Sequence, residues 1–77
     1  MKITVESTTK VVELETLKGT VPARIWEGTT DSGIPVHVFI TRIGVHESQD
    51  QTQFEKELKT CRTPSAEVCA FPLRMIL

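Results

Sequence analysis

Two stretches decide the fold: VPARIWEG at residues 21–28 and IPVHVFITRIGVH at residues 34–46. Both are rich in β-branched and aromatic residues, which is typical of strands. The short segment Asp-Ser-Gly separates them, and Gly33 can take a positive φ that closes a three-residue hairpin loop. That loop would pair Thr30 with Ile34. The predicted register of the hairpin then places these residues opposite one another: Trp26 and Val38, Arg24 and Ile40, Ile25 and Phe39.

Alternation of side chains along each strand divides this hairpin into two faces. The first face carries Val21, Ala23, Ile25, Phe39, Ile43 and Val45. The second face carries Arg24, Trp26, Val36, Val38, Ile40 and Arg42. Both faces are largely apolar, whereas an antiparallel sheet with one solvated side is apolar on one face only. The second face therefore needs a cover.

The amino-terminal segment adds either one bent strand or two. Residues 2–6 and 10–15 have strand patterns, and residues 7–9 between them form a turn or a bulge. A two-residue loop at Lys18 and Gly19 would join this segment to the hairpin. The resulting register predicts these neighbours: Glu13 with Arg24, Lys10 with Glu27, Val11 with Trp26, Val12 with Ile25, Leu14 with Ala23.

The pattern changes to that of a helix after His46. Ser48 to Gln51 has the spacing of a capping box, with Asp50 as the competing N-cap, and residues 51–60 contain good helix formers. The apolar stripe of this helix is narrow and consists of Phe54, Leu58 and Cys61. A loop is expected at residues 63–67. Residues 70–77 form an apolar terminal segment, which Pro72 restricts to the start or edge of a strand.

These elements predict a small α+β fold: an antiparallel sheet of three to five strands with one helix, in the order β-β-β-α-β, as a single domain over residues 1–77. A core of this size is usually marginal, and one thin helix covers one face of a sheet but not two. A homo-oligomer is therefore expected, with a dimer ranked first.

Composition narrows the class of partner. The net charge of −1 lacks the basic excess of a protein that binds nucleic acid without sequence preference. No apolar run is long enough to span a membrane, and no signal-peptide pattern follows Met1. Cys61 and Cys69 are too few for a disulfide framework, so free thiols and a cytoplasmic location are expected.

The sequence offers little catalytic chemistry. His37 and His46 have no metal-ligand spacing with the two cysteines, so neither a metal nor a cofactor is expected. Cys61 with a His46 base is formally a nucleophile pair, but the carboxyl end of a helix disfavours a thiolate. The simpler interpretations are that Cys61 closes the helix stripe, that Cys69 packs under the terminal strand, and that His37 faces Glu27 across the hairpin.

Trp26 is the residue with most to explain, because it is the single tryptophan and lies on the face that needs a cover. Tryptophan and arginine among aliphatic side chains are typical of the centre of an interface. They also suit a nucleotide, since tryptophan stacks on a base and arginine binds phosphate. The third alternative is that Trp26 belongs to the core. The candidate binding residues are Arg24, Trp26, Val38, Ile40 and Arg42.

Four stretches carry a resemblance to a known group: MKITVESTTK at residues 1–10, residues 21–28, GIPVH at residues 33–37 and PLRMIL at residues 72–77. They resemble short accessory proteins of phage and prophage genomes in proteobacteria. The resemblance implies a viral protein that acts in the cytoplasm of a host cell. It also implies an anti-defence role, either binding a defence protein, as anti-CRISPR proteins do, or sequestering a nucleotide messenger.

Three hypotheses follow for the function. The first is a non-catalytic inhibitor that binds a host defence protein. The second is an oligomer that sequesters a small anionic nucleotide with Arg24, Trp26 and Arg42. The third, ranked last, is a small enzyme that uses His37 or His46.

Overall fold

The strands that flank the Asp-Ser-Gly loop form the middle and one edge of a four-stranded sheet. A computed structural model describes residues 1–76. The strands are β1 (Ile3–Thr16), β2 (Gly19–Thr30), β3 (Pro35–Ile40) and β4 (Arg74–Ile76), in the spatial order β3-β2-β1-β4. The helices are α1 (Gln51–Leu58) and α2 (Ala66–Cys69). The predicted α+β class is confirmed.

The predicted register of the β2–β3 hairpin is also confirmed. Trp26 lies opposite Val38, and the other pairs follow in the same register. Gly33 has a φ of 87°, and the Thr30 amide donates to the Ile34 carbonyl oxygen at 2.9 Å. The positive φ that a three-residue loop requires is therefore provided by the one residue that adopts it without a steric penalty.

The second half of this hairpin is shorter than predicted. β3 ends at Ile40, and the strand pattern at residues 41–46 was wrong as secondary structure. Ile43 was assigned to the first face, but it lies with Trp26 and Ile40 on the second. The chain leaves the sheet after Ile40, so alternation no longer governs where the side chains of Ile43 and Val45 point.

β1 is one strand interrupted by a bulge, which settles the alternative left open at residues 7–9. The register with β2 shifts between Ser7 and Val11. Thr8 is fully buried at this bulge, and its hydroxyl donates to the Ile25 carbonyl oxygen at 2.7 Å. A bulge leaves backbone groups without ladder partners. Here Arg62 supplies them, because its carbonyl oxygen accepts from Thr9 and its amide donates to Ser7.

The predicted register of β1 with β2 was wrong by two residues between the loop and the bulge, and by four residues on the other side of the bulge. Thr16 pairs with Gly19, so the loop is Leu17 and Lys18, and Gly19 with a φ of 122° begins β2. The Lys18 amide donates to the Thr16 hydroxyl at 3.2 Å, which stabilises this turn. The observed pairs are Val11 with Arg24, Val12 with Ala23, Glu13 with Pro22, Leu14 with Val21, Ser7 with Trp26 and Glu6 with Glu27. A shift by an even number of residues, here two or four, preserves the face to which each side chain belongs.

The hydrophobic core lies on the first face. Its buried members are Val12, Leu14, Ala23, Ile25 and Val68, and Phe39, Phe71 and Met75 pack against them. Val68 comes from α2, a helix that sequence analysis assigned in part to a loop. Ser65 explains why a helix begins there, since its hydroxyl accepts from the Val68 amide and caps the first turn. The cover of the core is therefore α2 and not α1.

The carboxyl-terminal segment closes the other edge of the sheet. β4 pairs in parallel with β1, so the sheet is mixed and not wholly antiparallel as predicted. Arg74 contacts Glu13 and Glu15 at 3.1 Å each, which replaces the predicted pairing of Glu13 with Arg24. Cys69 is exposed and does not pack under this strand as predicted. Leu77, the last residue of the predicted terminal strand, lies outside the described residues.

A candidate binding groove on the second face

The second face of the sheet holds a groove with a volume of about 490 Å³. Its lining residues come from β1, β2, the end of β3, the following segment and α1. They are Ser7, Val11, Pro22, Ala23, Arg24, Trp26, Ile40, Thr41, Arg42, Ile43, Phe54, Glu57 and Leu58. We call this set the Trp26 groove. Most of its members are apolar.

Helix α1 forms one wall of the Trp26 groove. Asp50 caps the helix by accepting from the Thr52 amide at 2.9 Å, so Asp50 and not Ser48 is the N-cap. Phe54 and Leu58 lie four residues apart and so share one side of the helix. This is the narrow stripe noted in the sequence. It is too thin for a core but sufficient to line one side of a groove.

The groove is partly open to solvent. Val11, Ile43 and Leu58 remain 42%, 39% and 44% exposed, although each lines the apolar surface. Trp26 is half-buried, so it is neither sealed in the core nor fully exposed. α1 therefore covers the second face incompletely. Apolar surface that is left open and rimmed by polar residues is typical of a place where another molecule binds.

Arg24 connects two segments of the fold beside this groove. One of its terminal guanidinium nitrogens, Nη1, donates to the Thr8 carbonyl oxygen at 2.7 Å and lies 3.7 Å from the Cys61 Sγ. These contacts join the β1 bulge to the segment after α1. One nitrogen of the guanidinium is therefore already engaged within the fold. Arg42, by contrast, is exposed at the groove.

Four of the five predicted binding residues come together in the groove. Arg24, Trp26, Ile40 and Arg42 line it, while Val38 is half-buried on the same face but is not part of the lining. Sequence reasoning missed the contribution of α1 and of Ile43. The signal for α1 was present, because Phe54 and Leu58 were recognised as an apolar stripe. The face to which that stripe belongs could not be read from its spacing.

A polar cluster on the first face holds the ionisable side chain that is most buried among the described residues. Glu27 is 8% exposed and accepts from the Ser65 hydroxyl at 2.5 Å and from the Ser65 amide at 3.0 Å. Arg62 lies 3.6 Å away. The Ser65 hydroxyl lowers the pKa of Glu27 below its ordinary value of 4.5, and the Ser65 amide, Arg62 and His37 act in the same direction against the opposing effect of burial. Glu27 is therefore held as a carboxylate that anchors the amino end of α2.

The two histidines lie apart from the Trp26 groove. His37 faces Glu27 across β2 and β3 as predicted, its Nε2 is 4.0 Å from Glu67, and its ring packs edge-on against Phe71 at 5.2 Å. His46 lies beyond β3, where its Nδ1 is 2.6 Å from the Ser48 hydroxyl. Among residues 1–76, no group of three or more histidine, cysteine or acidic side chains is arranged to hold a metal ion.

Comparison of the chain with protein-family models, with curated proteins and with solved structures finds no match in any of the three. The described helices also include none that is long and apolar enough to cross a membrane.

Proposed function

We propose that this protein is a non-catalytic phage accessory protein, which inhibits a host defence system by binding a defence protein through the Trp26 groove. The observation that carries the proposal is a half-buried tryptophan surrounded by three apolar side chains that stay about two-fifths exposed. An apolar centre with a tryptophan and a polar rim is the usual composition of an interface hot spot. The resemblance of the sequence to phage proteins supplies the host cytoplasm as the place of action.

The charges of the groove favour a protein partner over a nucleotide. A volume of about 490 Å³ suits either a small molecule or the bulky side chains of a partner. A phosphate ligand would require guanidinium groups that are free to turn towards it. Arg24 is engaged with the Thr8 carbonyl oxygen, which leaves Arg42 as the one unengaged arginine of the lining within the described residues. The sequestrant hypothesis is therefore supported less well than the first.

The lining of the groove also supports binding over catalysis. Its ionisable residues among the described lining are Arg24, Arg42 and Glu57, and both histidines lie elsewhere. The one hydroxyl of β1 that lines it, Ser7, donates to the Thr60 carbonyl oxygen at 2.9 Å, and no hydrogen bond within residues 1–76 joins it to a side chain that could act as a base. Nucleophilic or acid–base chemistry needs such a pair of groups in hydrogen-bonding reach.

The experiment compares two variants in bacteria that carry defined defence systems. The wild-type protein is expressed in a panel of strains, each with one such system, and the plating of a phage restricted by that system is measured. Leu58→Glu places a charge in the apolar wall of the groove. We expect wild-type protein to restore plating against at least one system, and Leu58→Glu to reduce that effect by at least about tenfold, since burial of an unpaired charge costs several kcal/mol.

Leu17→Glu is the matched control. Leu17 is fully exposed in the β1–β2 loop and does not line the groove, so the same substitution there should leave plating unchanged. Co-expression of the tagged protein with each protein of the inhibited system should then give a complex with wild type and Leu17→Glu but not with Leu58→Glu. Equal inhibition by both variants would show that the groove is not the binding site, and restored plating without a complex would contradict binding as the mechanism.

A further inference from the structure

Strand β3 is an edge of the sheet that is protected only at its first residue, Pro35. The order β3-β2-β1-β4 leaves the outer side of β3 unpaired. Native sheets protect such edges with charged side chains, proline, bulges or a covering element. β3 has six residues, begins with Pro35, contains no Lys, Arg, Asp or Glu, and pairs with β2 without a bulge, so residues 36–40 carry no such side chain or bulge. The opposite edge, β4, has three residues and begins with Arg74.

The geometry of the hairpin identifies the backbone groups that point outward from β3. The Thr30 amide donates to the Ile34 carbonyl oxygen, so Ile34 directs its hydrogen-bonding groups towards β2. These directions alternate along an antiparallel strand. The backbone groups of His37 and Phe39 therefore point away from the sheet. Outside the β2–β3 ladder, no backbone hydrogen bond within residues 1–76 reaches either residue.

The side chains of β3 are nearly symmetrical about Val38. Val36 and Ile40 are β-branched at equal distances on either side, and His37 and Phe39 are aromatic rings at equal distances on either side. We propose that β3 pairs antiparallel with β3 of a second copy of this chain, with Val38 on the two-fold axis. Two four-stranded sheets then become one continuous sheet.

Pairing of β3 with β3 of a second copy in this register satisfies the outward backbone groups and gives compatible side-chain pairs. His37 of one copy faces Phe39 of the other, and their outward groups exchange roughly four backbone hydrogen bonds in the whole interface. Val36 faces Ile40, and Val38 faces itself, so β-branched residues meet β-branched residues and no like charges are opposed. A slip of one residue would place a ring against a β-branched side chain on every pair. The register centred on Val38 pairs all five residues 36–40 of each copy, whereas a slip of two residues would pair only three of them, so the strand favours a second copy in this register.

The dimer also extends the Trp26 groove. Ile40 lies at the end of β3 and lines the groove. In the proposed pairing, Val36 of the second copy lies beside Ile40 on the same face, so each groove is bordered by apolar surface from both copies. The β3 interface can be tested with the purified protein alone. Failure of that test would therefore be distinguishable from failure of the proposed binding to a defence protein.

The first test is a site-specific disulfide in a background of Cys61→Ser and Cys69→Ser. Val38→Cys places two thiols opposite each other at a pair without mutual hydrogen bonds, where the Cα atoms are about 4.5 Å apart and a disulfide can form. Val36→Cys is the matched control, because it lies on the same strand and face but opposes Ile40. With oxidised glutathione as the oxidant, Val38→Cys should form a covalent dimer at least about tenfold faster than Val36→Cys, because its thiols are held together before reaction.

The second test uses charge and sedimentation equilibrium. Wild-type protein at about 50 µM should sediment at twice the mass of the chain, a range in which small interfaces associate. Val38→Lys and Val38→Glu should each sediment as monomers, because like charges meet at the axis, and an equimolar mixture should recover the dimer. Circular dichroism confirms that both variants fold. A monomeric wild type, equal cross-linking at both positions, or no recovery in the mixture would each overturn the proposal.

Discussion

Gly28 offers the sharpest test of the close approach between β1 and β2. It lies opposite Val5, and a Cβ atom built on it would fall 1.7 Å from the Thr4 carbonyl oxygen and 2.7 Å from the Val5 Cα. Both contacts are with backbone atoms, so no side-chain rotation relieves them. Gly28 does not have a positive φ, and the penalty for Gly28→Ala is therefore one of space and not of backbone conformation.

The loss of stability expected for Gly28→Ala follows from how far the strands must move to accept a methyl group. Ordinary van der Waals contact begins at 3.4 Å, so β1 and β2 would have to separate locally by more than about 1 Å, which breaks flanking ladder hydrogen bonds. Two such bonds at about 1 kcal/mol each, with the strain of overpacking, give a loss of about 3 kcal/mol or more. A 77-residue domain has a total stability of roughly 4–12 kcal/mol, so the loss is a large share of it.

Urea denaturation followed by Trp26 fluorescence and by circular dichroism measures this loss. With a slope near 1 kcal/mol/M, the midpoint for Gly28→Ala should fall by about 3 M. Gly44→Ala is the matched control, because its Cβ would meet nothing within 4 Å and its φ is not positive. Gly44→Ala should be as stable as the wild type or slightly more stable. A Gly28→Ala variant within about 0.5 kcal/mol of wild type would refute the close approach of these strands.

The remaining predictions concern stability on the first face and at the bulge. Because the Ser65 hydroxyl lowers the pKa of Glu27, the Glu27 carboxylate contributes stability that is present above its ordinary pKa of 4.5 and is lost as the pH falls through the lower pKa of the folded state. In Glu27→Gln, the free energy of unfolding should therefore decrease less as the pH is lowered. Urea denaturation at successive pH values measures this decrease. A slope identical to that of wild type would contradict this. Val68→Ala removes two methyl groups from a fully buried site and should cost about 2 kcal/mol in thermal or urea unfolding; a cost near zero would show that α2 does not seal the core. Thr8→Val should cost about 2 kcal/mol because the buried Ile25 carbonyl oxygen loses its donor, while Thr8→Ser should recover most of the loss; equal losses would point to packing as the cause.

The sequence was most informative where a steric rule for a few neighbouring residues allowed a single arrangement of the chain. The Asp-Ser-Gly loop and its glycine determined the register of β2 with β3, and every pair that was predicted there is present. At residues 17–19 the loop was predicted at Lys18 and Gly19, and the structure places it one residue earlier, at Leu17 and Lys18. The choice depended on Gly19 taking its positive φ at the start of β2, and opposite charges at Glu13 and Arg24 were too weak a guide to decide it.

The residues of the Trp26 groove also divide into those that local rules predicted and those that loops brought there. Three of its predicted residues, Arg24, Trp26 and Ile40, came from parity along β2 and β3, because alternation within a paired strand leaves no freedom, while Arg42 lies beyond the end of β3 and reaches the groove from the following segment. Ile43 and the two apolar residues of α1 joined the groove through loops, and a loop can carry an apolar side chain to either face. The core was misjudged for a related reason: α2 has four residues, too few for a periodic pattern, so its role was visible only from the burial of Val68.

By itself, the sequence determined the class of the fold, the β2–β3 register and the face of each residue within those paired strands, because steric rules for glycine and alternation along strands act over a few residues. Only the tertiary structure decided which helix covers which face, that β4 runs parallel to β1, and that Arg24 is engaged within the fold. These outcomes depend on contacts between segments distant in sequence, such as Thr8 with Arg62 and Glu27 with Ser65, whose energies arise only after the chain has closed.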